Sequence, residues 1–223
     1  MENLINDIIE KEWKLFHAVN GDNRVSCQDD RPTFEIMRRA QYRAWSQDAL
    51  EKYAADLDAA IAEGRNIVRE KYIHMMRTTD PQGYAHFAME LPEISEARVT
   101  LVEQIWEHLA AQTERMRSRY PYLAFGGRTL YARNETTGWP SIETYQTSEL
   151  LTYSEETLCA LLTHIEALEK EGKDFAFSVQ ENTVLGLGFP DMDAAERVMA
   201  KQVIREAGVQ FGSNCCREDG CCG

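Results

Sequence analysis

The sequence predicts an all-α protein: a single-domain helical bundle over residues 1–210, with an irregular insert at about 121–153 and a cysteine-rich C-terminal tail over 211–223. Three observations predict it. Five segments repeat apolar residues at the 3.6-residue period of a helix. Ser, Asp, Gly and Pro stand where such helices would start and stop, and no internal repeat or low-complexity linker divides the chain. At 223 residues and 43% hydrophobic content, the chain is long enough to bury a proper core.

The elements follow in order. In residues 4–19, Ile5, Ile8, Ile9, Trp13, Phe16 and Val19 form one apolar stripe. A loop over 20–30 is opened by Gly21 and carries Ser26, Cys27, Gln28, Asp29 and Asp30. Asp30 ahead of Arg31-Pro32 starts a second helix, because a carboxylate can cap free N–H groups and proline suits the first turn. Phe34, Met37, Ala44 and Trp45 are its apolar side. Ser46 caps a third, long helix that keeps Leu50, Tyr53, Leu57, Ile61, Val68, Tyr72 and Met75 in one register through Gly64, ending near Thr78 before Asp80-Pro81. A fourth begins after Pro92, with Val99, Val102, Trp106, Leu109 and Met116 in phase, and stops at Tyr120-Pro121.

Residues 121–153 change character. Gly126-Gly127, Asn134 and Gly138-Trp139-Pro140 are turn signals, and 129–132 and 142–146 are candidate short strands. A connection of this length inside a compact domain is a place to look for function. Ser154 then caps a helix that Gly172 stops, a weaker helical stretch covers 175–185, and the last helix runs over about 193–206.

Composition narrows the partners. The formal charge is −13, and the densest basic groups are Arg38-Arg39 with Arg43, and Arg115 with Arg117 and Arg119, so no nucleic-acid partner is expected. No apolar run approaches the ~18 residues of a membrane span, and the acidic, amphipathic start is unlike a signal peptide. The expectation is a cytoplasmic protein with no membrane partner, acting on a small molecule or another protein.

Helical phase exposes a misfit at three polar residues. Glu12 lies in the middle of the first apolar stripe, and Arg38 and Gln41 share the sector of Phe34 and Trp45. A buried carboxylate must be protonated, paired or metal-bound. One reading is a structural Glu12–Arg38 ion pair with Gln41 satisfying leftover hydrogen bonds. The other is a polar pocket in which Arg38 receives an anion and Glu12 acts as base or orienter. Beside these residues, Cys27 is either a small buried hydrophobe or a thiol activated at a helix start. Gln28 and Asp29 would stand alongside as ligand contacts, with His17 the nearest base in sequence.

No HExxH, phosphate loop or GxSxG elbow occurs. The tail reads CC-x4-CC through Cys215, Cys216, Cys221 and Cys222. Four thiolates in eight residues suit a soft metal, an iron–sulfur cluster or zinc, with dithiol redox chemistry or an inert tail as alternatives.

Several blocks resemble a known family. They are residues 4–19 with Glu12-Trp13; Cys27-Gln28-Asp29-Asp30 followed by 33–38; 148–154; and Glu181-Asn182-Thr183-Val184. The chain is similar in these blocks to the uncharacterised bacterial family called domain of unknown function 4125, over nearly its whole length to about residue 207. The resemblance implies a helical intracellular protein and supplies no reaction. The cysteine tail falls outside the shared pattern. Three functional classes therefore stand open: a pocket protein or enzyme built on Glu12, Cys27 and Arg38; a metal or redox protein acting through the tail; and an interaction module without chemistry.

Overall fold

The computed structural model describes residues 1–19, 30–136 and 139–215, with side chains to residue 206. Within these residues the chain forms eleven α-helices and no strand; a single antiparallel bridge joins Thr136 to Trp139.

The first helix, α1 (Glu2–His17), buries Ile5, Ile8, Ile9 and Phe16 on the expected stripe. The second, α2 (Arg31–Arg43), starts as expected: the Asp30 carboxylate accepts from the Thr33 N–H at 3.1 Å, and Pro32 sits in the first turn.

The long third helix of the sequence reading is two helices, α3 (Gln47–Ala62) and α4 (Ile67–Thr79). Gly64 adopts φ +73° between them, a left-handed conformation that an L-residue reaches only at a steric cost. Asn66 then caps α4 by accepting from the Arg69 N–H at 3.0 Å. Apolar phase ran through this break because α3 and α4 both face the same core.

Asp80-Pro81 ends α4 and also begins α5 (Pro81–Phe87), with the Asp80 carboxylate capping Gly83. Ser95 caps α6 (Glu96–Arg119), and Pro121 opens the short α7 (Pro121–Ala124). The insert is only half irregular. Its second half folds as α8 (Ile142–Leu150), where Ser141 accepts from the Thr144 N–H, so 142–146 is helix and not strand. The two candidate strands do touch: Ile142 and Glu143 donate N–H bonds to Thr129 and Leu130 at 2.8 and 3.0 Å, through the first turn of α8. The chain ends with α9 (Glu155–Lys170), α10 (Phe175–Gly186) and α11 (Met192–Cys215), the last reaching beyond the expected stop at 206.

Packing is organised around α3, α6 and α9, with α1 and α2 on one side and α4 against α8. Ile5, Ile8, Leu50, Leu57, Ile105, Leu158, Leu161 and Ile165 are fully buried in one continuous core. Each such side chain contributes about 1.5–3 kcal/mol relative to exposure. A satellite cluster of Tyr120, Val184, Met192 and Ala195 ties α7, α10 and α11 together. The result brings five helices, α1, α2, α3, α4 and α8, to one polar seam.

Candidate functional site

Glu12 sits one turn from Ile8, Ile9 and Phe16 on α1, so the stripe that packs the helix also carries this carboxylate inside, where it is 2% exposed. It meets Arg38 on α2. Arg38 Nε donates to Glu12 Oε2 at 2.8 Å, and Nη2 donates to Glu12 Oε1. Two buried hydroxyls, Tyr42 and Tyr53, donate to the same Oε1, each at 2.6 Å.

The remaining donors of Arg38 reach further. Nη1 donates to Gln41 Oε1 at 3.0 Å and to Glu149 Oε1 at 2.7 Å, and Nη2 also donates to the Tyr42 hydroxyl. A guanidinium has five N–H donors, and all five are engaged inside the protein. Arg38 is the knot that joins two carboxylates.

Glu149 on α8 is the second of them. Its Oε1 also accepts from Gln41 Nε2 at 3.2 Å and from the Tyr153 hydroxyl at 2.9 Å, while its Oε2 accepts from Lys71 Nζ on α4. Lys71 is 7% exposed, and its ammonium lies 3.4 Å from the centre of the Tyr145 ring.

The charge states follow from these contacts. Burial pushes the Glu149 carboxyl up, but Arg38 and Lys71 outweigh it and hold Glu149 well below the usual carboxylate range. Burial alone would lower Lys71, yet Glu149 raises it above the ordinary lysine value, so it stays an ammonium. Burial, reinforced by the nearby carboxylates, pushes Tyr42, Tyr53 and Tyr153 far above the usual phenol value, so all three serve as neutral donors.

A cavity of about 230 Å³ opens beside this network. Glu12, Arg38, Tyr53, Lys71, Tyr145 and Glu149 give it a polar wall; Phe16, Phe34, Met37, Ile67 and Val68 give it an apolar one, and Asp30 and Thr33 stand on α2's first turn beside it. Its volume is that of roughly seven or eight water molecules at about 30 Å³ each, the size of a compact metabolite.

Of the residues singled out in the sequence, Glu12, Arg38 and Gln41 come together. Cys27, Gln28 and Asp29 lie outside the described residues, as do Cys216, Cys221, Cys222 and the side chain of Cys215. The His17 ring lies with its centre 5.9 Å from that of Trp13, tilted by 55° to it. Among the described residues no three His, Cys, Asp or Glu side chains are placed to hold a metal ion.

Lys71, Glu149, Tyr42 and Tyr53 were missed. The signal for Lys71 was present, since it falls three residues after Val68 and four before Met75 on an inward stripe. Glu149 lay in a segment read as loop, where phase cannot be assigned.

A family model for proteins of unknown function, DUF4125, matches residues 2–197. The chain belongs to the DUF4125 family. The match spans every residue of the polar seam and stops ahead of the cysteine run. No curated protein and no solved structure matches. Among the described residues, no helix is long and apolar enough to cross a membrane.

Proposed function

We propose that this protein binds a small molecule in the cavity between α1, α2, α3, α4 and α8, with the Lys71 ammonium as the cationic group that meets it. One observation carries the reading. Among the described residues, Lys71 uses one of its three N–H donors, on Glu149, whereas neighbouring Arg38 has all five engaged. A buried ammonium with donor capacity on the wall of a cavity that also offers apolar surface is what a ligand's accepting atom requires. Arg38, Glu12 and Glu149 are then positioning residues that hold Lys71 and the tyrosines in place. The same geometry suits a catalytic pocket if the 20–29 segment brings the Cys27 thiol to it, a role the sequence alone suggests.

The test is ligand-observed NMR of the purified protein against a library of fragment-sized acids, amines and neutral compounds, repeated on Met37→Trp and Val68→Trp. Met37 is 49% exposed, so a larger ring there can fill the mouth without disturbing the core. Hits that compete with one another and disappear in both variants support the pocket. Hits that survive both variants contradict it and leave the ion network as a device for fixing helix register.

The spacing of Cys215, Cys216, Cys221 and Cys222 carries a separate proposal, a thiolate-bound iron–sulfur cluster or zinc. Metal analysis of anaerobically purified chain tests it. Stoichiometric metal that vanishes when residues 213–223 are deleted supports it, and metal-free protein with titratable thiols rejects it.

A further inference from the structure

Resting on the reading of the cavity as a ligand site, we propose that its ligand is a zwitterion: a compact apolar body bearing one ammonium and one carboxylate, the chemistry of a free amino acid. Glu12 and Glu149 are satisfied in the same lopsided way. On each, Oε1 accepts three donors: Arg38, Tyr42 and Tyr53 for Glu12, and Arg38, Gln41 and Tyr153 for Glu149. On each, Oε2 accepts one, from Arg38 Nε in the first case and from Lys71 Nζ in the second. Among the described residues the Oε2 atom of each carboxylate thus carries a single donor where its Oε1 carries three, and is the less crowded acceptor. The seam therefore offers a ligand two acceptor positions and, at Lys71, a charged donor.

Charge points the same way. Among the described residues the cavity wall carries three carboxylates, Glu12, Asp30 and Glu149, against the two cations Arg38 and Lys71. A simple anion reaching for Lys71 would meet an excess of negative charge. A simple cation would balance that excess but leave the remaining donors of Lys71 without an acceptor. A molecule carrying both charges adds no net charge to the cavity, and burying a net charge is the costly alternative. Its ammonium can take the less crowded Oε2 positions and its carboxylate the remaining donors of Lys71, leaving the apolar part for Phe34 and Val68.

Isothermal titration with three matched probes tests this: L-phenylalanine, 3-phenylpropanoate, which lacks the amine, and 2-phenylethylamine, which lacks the carboxylate. L-phenylalanine is expected to bind at least tenfold more tightly than either, and Lys71→Met to bring it down to the level of the amine. Equal or tighter binding of one half-probe, abolished by Met37→Trp, overturns the zwitterion and leaves the pocket standing. Binding that ignores Met37→Trp, or no binding by any of the three, overturns both. Circular dichroism of each variant confirms that it is folded before its affinity is read.

Discussion

Removing the Glu12 carboxylate would leave the Arg38 guanidinium with a single counter-ion and two buried tyrosine hydroxyls without their acceptor. Glu12→Ala is therefore expected to lower stability by about 3–5 kcal/mol in a urea titration, the penalty of breaking a buried charge pair from one side. A loss within 0.5 kcal/mol would mean that the pair is not buried in solution. Lys71→Met should cost less, about 1–3 kcal/mol, since Glu149 keeps Arg38, Gln41 and Tyr153. At this scale the sequence was readable where an ionisable residue interrupts a long regular stripe. Glu12 could be found because Ile5, Ile9 and Phe16 fix the phase around it, and Arg38 because Phe34 and Trp45 do the same. Tyr42 and Tyr53 gave no such signal, because an aromatic residue on an inward face looks like core until its hydroxyl partner is known.

The break between α3 and α4 gives a test at the level of the element, because its sign is diagnostic. Gly64→Ala in the interior of a continuous helix would stabilise by about 0.5–1 kcal/mol. At φ +73°, with open space around the Cβ position, the same substitution adds no clash but forces an L-residue into the left-handed region. It is expected to destabilise by about 1–2 kcal/mol, measured by thermal unfolding; a raised Tm would restore the single long helix. Asn66→Ala should cost a further ~1 kcal/mol by removing the cap of the helix that carries Lys71. Caps at Asp30, Ser46 and Ser154 were legible because each precedes a clear apolar period. Asn66 was not, since apolar spacing continued across it. In the same way, Ser141 was hidden by the Gly and Pro residues around it, and with it α8 and Glu149.

For the molecule as a whole, acid is the condition that separates these contributions. Burial, helped by Arg77 and Arg98, lowers His74 to about 4, so the folded chain holds it neutral while an unfolded chain protonates it near 6.5. A basic group with a depressed folded value contributes stability above its unfolded value, and that contribution is lost as the pH falls from 6.5 toward 4, by roughly 2–3 kcal/mol at most. Glu149 follows at lower pH: its folded value is depressed, so its contribution is present above about 4.5 and lost below it. Urea unfolding should thus weaken in two stages on acidification, with His74→Gln removing only the upper one; an unchanged upper stage in that variant would assign it elsewhere. At the alkaline end, Lys71 and the raised tyrosines contribute fully below about pH 10, and that share fades above it. The all-helical class was legible because period and caps are local, whereas the meeting of α1, α2, α3, α4 and α8 depends on contacts between residues as far apart as Arg38 and Glu149. Whether Arg38 frames the seam and Lys71 faces the ligand is tested by comparing Arg38→Met with Lys71→Met. Stability and binding of whichever fragment the wild-type cavity holds are measured on both. Arg38→Met is expected to lose about 3–5 kcal/mol of stability, by leaving Glu12 without a counter-ion and Glu149 with Lys71 alone, while Lys71→Met stays folded and loses the fragment. A Lys71→Met protein that binds the fragment as tightly as wild type would contradict that assignment.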